Sequence, residues 1–171
     1  MISYEQAKII VENYVSNLEL SLIDDTLVVI ETQTIEKPFA WVFTYTSKRV
    51  FETNNVNFQI AGNSLVFVNK YSGKISTYST AFDLDTLLVK YEEENHIWKL
   101  TLKEIDSLSQ KQLLFLKRSL NLDLTQISRI ITDKVQDLQC GSLNRLKELQ
   151  ENLLECDIRT EIMINVISSF R

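Results

Sequence analysis

One histidine, His96, and two cysteines, Cys140 and Cys156, are the residues of this chain best suited to acid–base, nucleophilic or metal chemistry. A hydrolase needs a nucleophile within reach of a base. His96 closes a glutamate run with no motif around it, and neither cysteine has the glycine-rich or histidine-containing surroundings of a thiol enzyme. One histidine and two widely spaced cysteines also supply fewer nitrogen and sulfur ligands than a zinc site takes. The paired carboxylates Asp24-Asp25 and Asp83-x-Asp85 fall at a turn and at a helix start, where aspartate is favoured for backbone reasons, and no calcium loop follows either. The sequence therefore predicts no catalytic residue, no metal and no cofactor.

What remains is contact chemistry. The segment "AWVFTYTS" (40–47) alternates so that Trp41, Phe43 and Tyr45 share one face and Val42, Thr44 and Thr46 the other. Opposite an amphipathic helix such aromatics are core; otherwise they are a binding platform. Tyr71 and Tyr78, near the end of a predicted hairpin, are candidate contact anchors. Glu92, Glu93 and Glu94 form an acidic run suited to a basic partner. Lys117 and Arg118 belong to the one basic cluster, with Lys111 and Arg129, but no aromatic-interleaved or glycine-basic motif accompanies it, and nucleic acid is not expected as a partner. The net charge of −5 is uneven: residues 1–95 hold 7 Lys+Arg against 13 Asp+Glu, and residues 96–171 hold 11 against 10. An acidic first half favours a basic protein over a phosphate backbone.

The elements that must position these residues follow from periodicity. Residues 3–18 repeat apolar side chains at helical spacing (Ala7, Ile10, Val11, Tyr14, Val15, Leu18), with Ser3 and Gln6 as a capping box. Residues 26–33, 40–47, 64–70 and 74–80 are short and rich in β-branched and aromatic residues, predicting one antiparallel sheet, with Pro38 and Gly73 at its turns. A helix capped by Asp83 and stapled by Phe82 and Leu87 follows, facing Leu84, Leu87, Leu88 and Tyr91 inward. "YEEENH" (91–96) then marks a boundary between a domain of residues 1–95 and one of 96–171. The second half reads strand 97–104, helices 109–120 and 125–132, strand 134–138, helix 143–155 and strand 158–166, the last alternating Ile158, Thr160, Ile162 and Ile164 with polar neighbours. The fold class is α+β: a helix on an antiparallel sheet, then a small α/β sandwich of three strands and three helices.

A hydrophobic share of 44% and a charged share of 24% are those of a globular chain. Nothing approaches the ~20 apolar residues of a membrane span, and "MISYEQAKII" lacks a signal peptide's basic start, so a cytoplasmic protein with reduced cysteines is expected.

The order of features in residues 1–95 resembles the immunity protein 35 family, the YrhB-type domain. The matching features are Trp41-Val42-Phe43 with Tyr45, Ala61-Gly62-Asn63, the strand Val66 to Val68, Tyr71-x-Gly73, and Thr80-Ala81 before a helix ending in Tyr91-Glu92. Ser64-Leu65 stands where that family has glycine and proline. The resemblance implies a small α+β protein of a bacterial polymorphic toxin system that binds and blocks a cognate toxin domain without catalysis. A chaperone-like holdase is the alternative. Residues 98–164, through "WKLTLKEI", "KQLLFLKRSLNLDLTQISRIITDKV" and "RLKELQENLLECDIRTEIMI", resemble the C-terminal domain of the bacterial ribosomal stalk protein, with Gly141 ahead of the last helix. Lys117 and Arg118 fit its basic helix–turn element, while "LDLTQIS" replaces a glycine- and lysine-containing stretch. This resemblance implies the fold and not the ribosomal role.

Overall fold

The computed structural model describes residues 1–18, 25–60 and 63–166. It divides into two compact units, one ending at Leu87 and one beginning at Leu88. Asp24, Ala61 and Gly62 lie outside the described residues. The architecture is α+β in both units.

In the first unit, helix α1 (Tyr4–Ser16) starts at the predicted capping box: Gln6 N–H donates to Ser3 Oγ at 3.3 Å and Ser3 N–H to Gln6 Oε1 at 2.9 Å. Its buried residues Ala7, Val11 and Val15 recur every fourth position and meet Phe43, Tyr45, Val66 and Val68. The strands are β1 (Leu27–Val29), β2 (Ile35–Glu36), β3 (Ala40–Phe43), β4 (Tyr45–Ser47), β5 (Ser64–Asn69) and β6 (Ile75–Ser79). They form two sheets rather than the one expected: a four-stranded antiparallel sheet in the order β2-β3-β5-β6, and a pair of β1 with β4.

The cause is local. The 26–33 run leaves the strand after Val29 and turns through a 3-10 helix at Glu31–Gln33. Thr44 is engaged by that turn, its carbonyl accepting from Ile30 N–H at 2.9 Å and its hydroxyl donating to Gln33 at 3.0 Å. The 40–47 run is thereby broken at Thr44, with β3 in one sheet and β4 in the other. Trp41, Phe43 and Tyr45 nevertheless face the α1 core together. A short helix, α2 (Lys48–Thr53), follows β4, capped by the Ser47 hydroxyl and closed by Asn54 at φ 54°. The β5–β6 hairpin turns at Gly73 with φ 70°, which glycine adopts without a Cβ clash.

Helix α3 (Leu84–Glu94) begins as predicted at Asp83, whose carboxylate accepts from the Thr86 backbone N–H at 2.9 Å and hydroxyl at 2.8 Å. The predicted staple does not form its apolar contact, because Phe82 is 59% exposed while Leu87 is buried.

The second unit has β7 (Trp98–Leu102) at the centre of an antiparallel sheet, with β8 (Asp137–Gly141) and β9 (Thr160–Ile164) on its two sides. Helices α4 (Gln110–Ser119), α5 (Leu124–Thr132) and α6 (Leu143–Leu154) bury Leu116, Ile130, Leu146 and Leu153 with Leu100, Leu102 and Ile158. Side-chain capping boxes open α4 (Ser109, Gln112) and α5 (Asp123, Gln126). The alternation read in residues 158–166 holds through β9: Thr160, Ile162 and Ile164 are partly buried and Glu161 and Met163 exposed. Strand β8 lies later than the expected 134–138. Lys134 takes a left-handed φ of 52° and Val135 N–H reaches back to Arg129 O, so the chain is still leaving α5 where a strand was expected.

Candidate partner interface

The residues singled out as contact anchors fall into three environments. Tyr71 sits half-buried at the hairpin, where Asn69 Oδ1 accepts from the Tyr71 and Ser72 N–H groups at 2.8 and 3.0 Å. Tyr78 is only 7% exposed, its ring edge-on to Phe67 at 5.2 Å, because position 78 falls on the same sheet face as Phe67. It is a packing residue, and the expectation of an exposed tyrosine is corrected.

The glutamate run divides as well. Helix α6 opens at Ser142, whose side chain caps nothing. The orphan N–H groups of that helix end are met from α3 instead: Leu143 N–H donates to Glu92 Oε2 at 2.8 Å and Ser142 N–H to Glu93 Oε2 at 2.7 Å. Arg145 donates to the other Glu93 oxygen. Two carboxylates at a helix N-terminus also face the positive end of its dipole. Burial works to raise the Glu93 pKa, but the Ser142 bonds and the Arg145 charge outweigh it and hold the carboxyl below its ordinary value. Glu92 is 9% exposed. Neither is the solvated charge expected of an acidic docking run; both are structural. Glu94 alone of the three is exposed, beside Lys90 at 3.8 Å.

Gly141 belongs to this arrangement. A Cβ there would lie 2.7 Å from Glu93 Oε2, so the strand end must be glycine for the carboxylate to approach.

The aromatic strand β3 has its own cluster. Tyr4 meets Trp41 edge-on at 5.5 Å and stacks on Phe43 at 6.1 Å. The Lys70 ammonium lies 4.2 Å from the Trp41 ring centroid and 2.6 Å from Glu36 Oε1, so a nearly buried cation is held by a ring face and one carboxylate. The aromatics are core, and the platform alternative falls away for Phe43 and Tyr45.

Lys117 is half-buried and Arg118 exposed on α4. Arg118 also lines a cavity of about 470 Å³ with Ser109, Lys111, Gln112, Leu114, Phe115, Glu155, Cys156 and Asp157. In the sequence Lys111 and Arg118 stand out only as part of a basic cluster; the i, i+3, i+4, i+7 spacing of Lys111, Leu114, Phe115 and Arg118 is the signal that places them on one helical face. The acidic wall has no such signal, because nothing in sequence spacing brings residues 155–157 to α4.

The residues first considered for catalysis stand in different settings. His96 is exposed at φ 49°, two residues before β7. Cys140 lies in β8 and accepts from Asn165 Nδ2 at 3.4 Å; burial first, then Asp137, push its thiol up, away from a reactive thiolate. Cys156 lies in the α6–β9 turn. Among the described residues no group of three or more histidine, cysteine, aspartate or glutamate side chains is placed to hold a metal ion. No helix among them is long and apolar enough to cross a membrane. Compared with known proteins, the chain matches no family model, no curated protein and no solved structure.

Proposed function

We propose that this chain is a non-catalytic immunity protein of a bacterial polymorphic toxin system, acting by binding a cognate toxin domain and occluding it. The observation that carries the reading is where the residues resembling immunity protein 35 lie. Trp41, Phe43 and Tyr45 build the α1-facing core, Val66 to Val68 form the centre of β5, and Tyr71-x-Gly73 makes the hairpin turn. They are the frame of a helix-on-sheet unit, as the resemblance implies for residues 1–95.

A binding role also accords with how the ionisable groups are used. Asp25 accepts from the Ser47 hydroxyl and from the Thr26 and Arg49 backbone, and the Ser47 bond is the main cause holding its carboxyl below the ordinary value. Glu31 holds Lys8 at 2.8 Å, and Glu92 and Glu93 hold α6. These carboxylates are engaged by backbone amides, the Ser47 hydroxyl and the Lys8 ammonium.

Because one fold hosts many functions, the deciding experiment is protection. A candidate toxin domain from the same genome is expressed in bacteria with and without the chain. Growth restored by the chain but lost with Phe43→Ala supports the reading. Growth arrest despite soluble, folded chain contradicts it. Equal rescue of unrelated aggregation-prone proteins identifies the holdase alternative.

A further inference from the structure

We infer that the cavity between α4 and the α6–β9 turn is a preformed site for a peptide segment of a partner protein in which an apolar side chain is flanked by an acidic and a basic residue. Its volume of about 470 Å³ lies within the ~300–1,000 Å³ typical of small-ligand sites. The walls carry opposite charge. Lys111 and Arg118 stand two turns apart on α4; Glu155 and Asp157 face them from the end of α6 and the turn beyond it.

None of these four makes an ion pair among the described residues, although charges elsewhere in the same unit do, including Lys99 with Asp137 at 3.0 Å and Lys103 with Glu161 at 3.3 Å. Between the walls lie Leu114, 57% exposed on its α4 position, and the partly buried Phe115 and Cys156. An apolar centre rimmed by charges of both signs suits a ligand of the same pattern. A uniformly acidic or basic partner would meet repulsion at one wall, which makes the pattern selective.

The walls are held in place before anything binds. Gln112 Oε1 accepts from Ser109 at 2.9 Å, completing the α4 capping box, while its Nε2 donates to the Cys156 and Asp157 carbonyls at 3.1 and 3.3 Å. One amide thus ties the start of α4 to the turn opposite. Asp157 itself sits at φ 56°, with its N–H bonded to Leu154 O at 2.9 Å. A site whose walls are fixed in advance loses less ordering entropy on binding.

The inference stands apart from the toxin reading, and its test uses model peptides. The probes are a capped peptide with two leucines between a glutamate and a lysine, the same peptide with glutamine and norleucine in place of the charges, and one with alanines in place of the leucines. Backbone amide shifts of the full chain are followed by NMR, together with thiol labelling of Cys156 in the Cys140→Ser variant, where it is the remaining cysteine. The charged leucine peptide should shift residues 111–118 and 155–157 and slow Cys156 labelling. It should bind roughly three- to tenfold more tightly than the uncharged form, as two exposed charge contacts allow. Lys111→Glu with Arg118→Glu should abolish that preference while the amide spectrum elsewhere stays as in the parent. Shifts confined to other residues, unchanged labelling, or equal binding of all three peptides would overturn the inference.

Discussion

The two units solve the same problem, covering an antiparallel sheet with helix, by different means. In the first, one helix covers strands whose aromatic side chains fill the space: Tyr4, Trp41, Phe43 and Tyr45 lie in or against one core. In the second, three helices supply leucine and isoleucine to a three-stranded sheet, and the aromatics packed against that cluster, Trp98 and Phe115, are only partly buried. The difference teaches where each unit is vulnerable. A sheet that divides its strands between two ladders depends on large rings at the crossing point. A leucine-lined sandwich depends on its helix ends being held, and α6 is held by carboxylates more than forty positions earlier in the chain, Glu93 reaching Ser142 with a separation of 49.

The largest expected effect sharpens this contrast. Phe43→Ala should destabilise the first unit by about 3–5 kcal/mol and Leu146→Ala the second by about 2–5 kcal/mol, the usual range for truncating fully buried side chains. The two tryptophans fall one to each unit, so Trp41 fluorescence in a Trp98→Phe background, and the converse, reads each transition separately during urea denaturation. If both reporters move together with either substitution, the units unfold as one and the comparison fails.

Gly141→Ala should cost about 1–2 kcal/mol, the scale of a lost helix cap, because its methyl group displaces Glu93 from the α6 N-terminus. The loss should appear in the Trp98 signal alone.

Glu93→Gln should cost about 0.5–2 kcal/mol at neutral pH, on the same capping scale. Its pH dependence has a defined sign. The folded-state pKa of Glu93 is depressed, so its contribution is complete above the ordinary carboxylate range and is lost as pH falls through the folded value. Parent and variant should converge in stability in acid and separate toward neutrality; a constant difference across that range would mean that the ionised carboxylate is not what holds α6.

A last comparison sets two tyrosines against each other, the half-buried one carrying the smallest effect. Tyr78→Ala should be clearly destabilising, by about 3 kcal/mol or more, since its ring is buried against Phe67. Tyr71→Ala should cost about 1 kcal/mol or less, because the hairpin is held by Asn69 and by its backbone bonds. Thermal melting of both variants checks the order.

Legibility in the sequence followed the range of the interactions. Helix α1 with its Ser3–Gln6 box, the Asp83 cap and the wet-and-dry alternation of β9 are set by neighbours within a few positions, and could be read directly. The break at Thr44 could not, because it depends on a turn at residues 30–33 that competes for the Thr44 carbonyl and hydroxyl. The same holds for the glutamates: their spacing suggested a solvated face, and only the fold brings Glu92 and Glu93 to the bare end of α6. Tyr78 was misplaced because its strand neighbours Thr77 and Ser79 are exposed, and only the pairing with β5 puts position 78 on the buried Phe67 face. Of the α4 cavity, Lys111 and Arg118 were legible as part of a basic cluster, Leu114 and Phe115 at i+3 and i+4 from Lys111 were passed over, and Glu155 and Asp157 arrive through tertiary packing.

The proposed occlusion without catalysis is tested most directly by titrating a fixed amount of a purified candidate toxin domain with this chain and measuring residual toxin activity. Tight occlusion predicts a linear fall to zero at one chain per toxin domain, with full activity recovered when the complex is dissociated. Complete inactivation by a small fraction of an equivalent would show turnover and contradict the account, as would toxin activity untouched by a large excess of folded chain.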